Sequence, residues 1–442
     1  MPASLRVLRT MGQSAYGKLA TARWAVAWLI AIGAALRLGL ALLPSEPRSD
    51  AAFYHTHAVA LAQGLGYVTH GQPTSYWPVG YPAFLALLYA LLGATPLVGR
   101  LGNVGLGALE LWLTYRIVKA LFRSEGVARL ALLLVVVYPN WTLRGGLLFS
   151  ENLVIPLIGS MTLLQWHVSP GWRGRTLSAL GAGLLLGAAV LVKPQFIVVP
   201  TVLALVGGAG QPGLLRRLGR LALIVGVASL VVLPWSLRNE RVWGRFIPVS
   251  TNGGPTLFVG NHAQATGGYT ETPQLVALFE HKDWNEADLD VHAREMATGW
   301  IRSHPAQFVS LIPWKIRNLF ARDDDIQGHL QASLVSAPPL VATVLNATFW
   351  FNWAYWLAFF LTFTVAGLVV LRRRLTHRAA PDLAGLAVVA ACVLFYAVFH
   401  GQPRFHGPFV PWMAGYVAWL IASTLRLEPA PDAQSARGAR LD

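Results

Sequence analysis

Residues 24–43 read WAVAWLIAIGAALRLGLALL, twenty residues with one charge, Arg37, followed directly by Pro44. A helix rises 1.5 Å per residue, so about 20 apolar residues cross the roughly 30 Å hydrocarbon core of a bilayer. Working outward from this stretch, similar ones recur at 97–118, 127–147, 152–168, 176–193, 195–210, 219–237, 346–371, 382–400 and 408–425. The expected fold is therefore an all-α polytopic membrane protein of about ten transmembrane helices, with juxtamembrane helices in its outer loops. Lys193-Pro194 interrupts the apolar run 176–210 and reads as a turn between two spans rather than a kink in one. Composition agrees: 55% of the 442 residues are hydrophobic and 12% charged, about half the usual ~25% charged share of a soluble domain.

Charge orients the spans, because short cytoplasmic loops collect Lys and Arg. With the N-terminus inside, the basic groups fall at Arg6 to Arg23, Arg116 to Arg129, Arg173 and Arg175, Arg216 to Arg220, Arg372 to Arg378, and Arg426 to Arg440. These groups hold 20 of the 35 basic residues. Residues 238–345 carry 9 basic and 11 of the 20 acidic residues, so that segment reads as external. The formal charge of +15 is thus a topology and anionic-lipid signal rather than a nucleic-acid footprint. The single cysteine, Cys392, excludes an internal disulfide framework and a cysteine zinc site. No phosphate-binding glycine loop, H-E-x-x-H motif or serine elbow occurs.

The expected organisation is a basic lead at 1–23, a transmembrane catalytic half at 24–237 with its first outer loop at 44–96, and a long outer region at 238–345. C-terminal spans at 346–425 and a tail at 426–442 follow, with both termini cytoplasmic. In the first loop, Ser49 to Tyr54 opens a helix that Gly64-Leu65-Gly66-Tyr67 ends, and a second helix begins near Pro78. Residues 250–255 and 265–269 read as loops, and 273–320 has helical periodicity.

Ionisable groups gather at the outer ends of these spans: Asp50, Arg144, Glu151, Lys193, Arg238, Lys315, Arg404 and His406. Charge is expensive there, so such a cluster points to a site. Cations facing an outer leaflet suit a lipid-borne phosphate, and a carboxylate beside them suits a general base. Each residue also has a plain reading: Asp50 and Glu151 as helix-terminal anions, Arg238 and Arg404 as snorkelling side chains. Lys315 sits in a mixed-charge stretch that reads as a solvated face. Arg37 and Glu110, inside spans, read as a buried structural pair. Gly183-Leu184-Leu185-Leu186-Gly187 reads as a close helix contact.

The run Asp50-Ala51-Ala52-Phe53-Tyr54, with Ala60 to Tyr67, Gly71-Gln72-Pro73-Thr74 and Gly80 to Leu85, resembles the first outer loop of GT-C glycosyltransferases. More narrowly it is similar to the bacterial branch related to protein O-mannosyltransferases and the lipid A aminoarabinose transferase. Ser150-Glu151, Lys193-Pro194, Pro234 to Asn239, Gly253 to Asn261 and Arg404-Phe405-His406 extend the resemblance over roughly residues 25–425. It implies inverting transfer of a sugar from a polyprenyl-phosphate donor to a glycolipid, glycan or protein acceptor, on the outer face of a bacterial inner membrane. Asp50 would be the base, with Glu151 orienting the acceptor or tuning it. Lys193, Arg238 and Arg404 would hold the donor phosphate, and Tyr54, Tyr81 and His406 would line the substrate. No cofactor or metal ligand set is read; a divalent cation, Mg or Mn, is the one ion the two carboxylates would share. The chain departs from the aminoarabinose transferase in lacking a lysine near Tyr76-Trp77-Pro78 and a large domain after the last span. The rival reading is a transporter or flippase of lipid-linked sugars, which would want broken helices in related halves; no inverted repeat is visible. A polymerase or ligase of lipid-linked glycans is the third.

Overall fold

The computed structural model describes residues 13–166, 171–206, 213–281, 283–335, 339–376 and 382–425. Arg6, Arg9, Arg378 and the predicted tail 426–442 lie outside the described residues. The first half comprises α1 (Gln13–Thr21), α2 (Ala25–Ala41), α3 (Asp50–Ala62), α4 (Gly80–Leu92), α5 (Pro96–Phe122), α6 (Glu125–Val136), α7 (Pro139–Leu143), α8 (Glu151–Trp166), α9 (Trp172–Val192) and α10 (Val198–Val206). The second half comprises α11 (Leu214–Trp243), α12 (Gly253–Val259), α13 (Pro273–Phe279), α14 (Glu286–Ser303), α15 (Pro305–Leu319), α16 (Asp325–Ser333), α17 (Pro339–Leu375), α18 (Ala384–Val398) and α19 (Val410–Thr424). Three 3₁₀ turns interrupt them: Arg144–Gly146, Pro194–Ile197 and Pro403–Phe409. Among the described residues the one sheet is a hairpin of β1 (Val68–Thr69) and β2 (Gln72–Pro73). Its two-residue turn has φ of 50° at His70 and 77° at Gly71, the positive pair a type I′ turn needs.

Local chemistry sets the boundaries. Thr95 accepts from the Val98 amide with Pro96 in the first turn of α5, Ser124 accepts from Val127 at the start of α6, and Asn285 caps α14. Residues 250–255 are not wholly loop as expected. The helix α12 starts at Gly253, since Pro255 falls in a first turn, where its missing N–H is not needed.

Among the described residues each of the ten apolar stretches contains helix, and the chain is a multi-pass membrane protein. Helices α9, α11 and α17 are each long and apolar enough to cross alone; three bent pairs bring the number to six. The other apolar stretches are shorter than the expected spans. The stretch 127–147 is not one helix: it breaks at Tyr138-Pro139 and bends by 69°. The run 176–210 breaks at Lys193, whose backbone is extended (φ −150°, ψ 100°), and α10 packs on α11 and α18. Gly183 and Gly187 let α9 lie directly on α11. A Cβ at either position would meet a Val227 or Val231 side-chain atom at 2.6 Å, the close contact the glycine spacing implied.

Buried charge locks the first half together. Arg144 pairs with Glu110 at 2.7 Å, with both side chains almost wholly out of solvent. Arg144 also donates to Asn152 at 3.1 Å and lies over the Trp141 ring. Arg37 donates to the Gly33 and Trp141 carbonyls. The expected Arg37–Glu110 couple is therefore replaced by Arg144–Glu110, because the 3₁₀ turn after α7 carries Arg144 inward and Arg37 is satisfied by carbonyls. Removing one partner of a buried pair strands the other charge, at about 3–5 kcal/mol. Glu110→Ala is expected to lose that much stability, read as a large fall in the thermal unfolding midpoint of the detergent-solubilised protein.

Candidate functional site

The site begins with the turn into α3. Ser49 adopts φ 51° and ψ −129°, a conformation a non-glycine residue rarely holds, and it delivers Asp50 as the first residue of the helix. Asp50 Oδ2 accepts from Arg404 Nη1 at 2.7 Å. Arg404 comes from the 3₁₀ turn between α18 and α19, 354 residues away, and its guanidinium lies over the rings of Phe149 and Phe405. Burial alone would depress the Arg404 pKa; the Asp50 and Glu151 carboxylates outweigh it and hold it above the ordinary arginine value.

Phe149 leads into Ser150 and Glu151, at the start of α8. Glu151 Oε1 lies 3.1 Å from Lys193 Nζ, at the end of α9. Its other oxygen accepts from Ser150 Oγ at 3.4 Å, and Ser150 in turn accepts from Tyr54 Oη at 3.2 Å. Tyr54 is one helical turn after Asp50, on the same face of α3. Burial, with Asp50 and Glu151 adding, pushes the Tyr54 phenol up, so it remains a donor. The circuit is closed: Asp50, Arg404, Phe405, Lys193, Glu151, Ser150 and Tyr54 return the chain of contacts to α3.

Of the residues expected from the sequence, Asp50, Glu151, Lys193, Arg404 and Tyr54 thus meet. Tyr81 stands behind Tyr54, edge-on at 5.2 Å, with its hydroxyl donating to Asn103. His406 lines a cavity with Glu151, Arg404 and Arg144. Arg238 lies apart. Its guanidinium donates to the Thr74 carbonyl at 2.7 Å, to Ser75 Oγ at 2.9 Å, to Asn239 Oδ1 and to the Tyr67 carbonyl. With Glu286, which accepts from Thr74 Oγ1 and the Ser75 amide, it clamps the turn 67–75 onto α11 and α14. Lys315 is not on a solvated face: it is fully buried and donates to Asn261 Oδ1 at 2.8 Å and the Val398 carbonyl at 2.9 Å. Burial pulls its pKa down to about 8.

A divalent ion does not fit this arrangement. Asp50 and Glu151 each already hold a cation, and among the described residues no three His, Cys, Asp or Glu side chains converge as a metal set. His55 and His57 also part, bonding Tyr89 and Thr69 respectively. Sequence reasoning left out Ser150, which carries no charge, and Asp323, which sits in the run Arg322-Asp323-Asp324-Asp325 that looks like a solvated patch.

Residues 77–237 match the family model of dolichyl-phosphate-mannose-protein mannosyltransferases. Among solved structures, the chain superposes on the Archaeoglobus fulgidus oligosaccharyltransferase tethered to an acceptor peptide, with TM-score 0.53 and 15% identity, over 92% of this chain and 50% of that one. The fold is that of the GT-C membrane glycosyltransferases. The complex of the same archaeal enzyme with Zn and sulfate gives TM-score 0.51 at 17% identity, over 90% and 49% of the two chains. ArnT from Cupriavidus metallidurans, bound to undecaprenyl phosphate, gives 0.42 at 15% identity, over 91% and 79%. The chain spans about half the length of the oligosaccharyltransferase structures it matches. No curated protein sequence matches it. Within the GT-C fold, the clamp by Arg238 secures the segment that follows α3. A hydrogen bond to a charged donor is worth about 1.5–3 kcal/mol, so Arg238→Ala is expected to raise chymotryptic cleavage after Tyr67 and Tyr76 about 10- to 100-fold.

Proposed function

We propose that the chain is an inverting glycosyltransferase that moves a sugar from a polyprenyl-phosphate donor to a hydroxyl of a glycolipid, glycan or protein acceptor. The observation that carries this reading is the convergence of Asp50 and Glu151, 101 positions apart, on one circuit with Arg404 and Lys193. The match of residues 77–237 to a family named for a lipid-phosphate sugar donor supports the donor class. The distribution of Lys and Arg along the sequence supports an outer-face position for this end of the bundle.

In this reading Asp50 takes the proton of the acceptor hydroxyl as its oxygen attacks the anomeric carbon, and the bond to the phosphate oxygen breaks on the opposite side. Negative charge grows on the departing lipid phosphate, so cations preorganised around it lower the barrier. Arg404 and Lys193 fill that role. Without donor, Arg404 neutralises Asp50; the phosphodiester of an arriving donor competes for Arg404, and as the sugar departs and charge grows on the phosphate the guanidinium turns to it, leaving Asp50 free to act as base. Glu151 keeps Lys193 in place, and through Ser150 and Tyr54 it holds α3 in register. Arg238 serves by fixing the first loop.

The reading is tested by sugar transfer in liposomes from a panel of radiolabelled polyprenyl-phosphate sugars to a cell-envelope extract. Asp50→Asn is expected to cost about 10²- to 10⁴-fold in transfer with donor binding retained, the usual loss when proton removal is deleted. Transfer at the wild-type rate in Asp50→Asn would sink the mechanism.

A further inference from the structure

His406 and Asp323 share a cavity with Glu151 and Arg404, yet the transfer chemistry above uses neither. His406 is fixed at three points. Its Nδ1 lies 2.9 Å from the Leu319 carbonyl, at the end of α15. A carbonyl only accepts, so this nitrogen carries a hydrogen. Its ring is stacked on Trp356 of α17, with centroids 3.9 Å apart and planes 7° apart. Its Nε2 faces Asp323 Oδ2 at 3.6 Å.

With Nδ1 protonated, a neutral imidazole would present a bare lone pair to a carboxylate oxygen. The contact is attractive only if one further proton sits on Nε2 or on Oδ2. Nothing else supplies it. Asp323 is buried; its Oδ1 accepts from Asn140 Nδ2 and its carbonyl from Asn352 Nδ2, while Oδ2 has no hydrogen-bond donor. Burial pushes the Asp323 carboxyl up, which favours a bound proton.

The charged groups on the neighbouring elements are already committed. Glu151 of α8 holds Lys193, Arg144 holds Glu110, and Arg404 of the same turn holds Asp50. Lys315 of α15 donates to Asn261 and Val398; Asp324 pairs with Arg322, and Asp325 lies 3.3 Å from His329 of α16. Tyr138 brings only a phenol, with no hydrogen-bond partner of its own.

We propose that His406 and Asp323 hold one shared proton that locks the Pro403–Phe409 turn, making them positioning residues that keep Arg404 at the site, beside Asp50 and within reach of the donor phosphate. Its meaning for donor binding rests on the glycosyltransferase reading; the lock itself does not. Burial favours the protonated Asp323 carboxyl, and a folded state that keeps a proton the unfolded chain releases loses stability as pH rises.

Asp323→Asn puts an amide N–H where Oδ2 was, and that group donates to the bare Nε2 of a neutral His406, so the contact no longer needs the proton. His406→Gln keeps a donor for Leu319 but cannot titrate. Two readouts are taken from pH 6 to 9.5: the thermal unfolding midpoint of the full chain in detergent, and its binding of undecaprenyl phosphate. For the wild type, both are expected to decline with rising pH, binding by about tenfold per pH unit once the proton is lost. Asp323→Asn is expected to flatten both curves, and His406→Gln to displace them, because the buried Asp323 carboxyl is then left to titrate alone. Wild-type-like pH dependence in Asp323→Asn and His406→Gln overturns the proposal. If unfolding behaves as expected but no protein binds undecaprenyl phosphate at any pH, the lock stands and the donor reading falls.

Discussion

Charge cannot be left alone inside an apolar bundle, and this constraint organises the molecule. An ion taken out of water costs several kcal/mol unless another charge or a set of hydrogen bonds answers it. Four acids here are answered: Asp50 by Arg404, Glu110 by Arg144 and Glu151 by Lys193 as ion pairs, and Asp323 by the His406 ring. Each couple joins separate segments of chain, the Asp50 couple over 354 positions. Hydrophobic burial makes the helices and packs them, but it is indifferent to which helix ends meet. The couples supply that choice, and each has a member at a helix break where backbone can turn a side chain inward.

Those breaks explain what the sequence revealed and what it hid. A long apolar run marks a helix plainly, so each of the ten stretches contains helix among the described residues, and the break at Lys193-Pro194 was legible because proline follows a costly charge. The end of each helix was less legible. Tyr138-Pro139 looks like a minor blemish in a long apolar run, yet it bends the chain by 69° and swings Arg144 onto Glu110. Composition within a window carries no direction, and the partner of Glu110 could not be chosen between Arg37 and Arg144.

The site followed the same rule. Asp50, Glu151, Lys193 and Arg404 were visible because each is a lone charge at the edge of an apolar stretch. Asp323 was hidden among four charged neighbours, where only the third dimension tells the buried acid from the solvated ones. Lys315 was misjudged for the same reason: Gly267 and Gly401 lie so close against its backbone that the helix turns its ammonium inward, and neither glycine is near it in sequence. Arg238 looked like the other cations, but its four acceptors belong to the polypeptide itself, a distinction that residue type alone cannot make.

The short helices have one further effect. Helices α6, α18 and α19 contain 12, 15 and 15 residues, about 18 to 23 Å of helix against a hydrocarbon core of roughly 30 Å. Lipid beside them must thin, or its headgroups must sink toward the 3₁₀ turns that finish those segments. Thickness then becomes a variable the molecule reads. A membrane of shorter acyl chains matches helices of this length, whereas a thicker one must deform beside them.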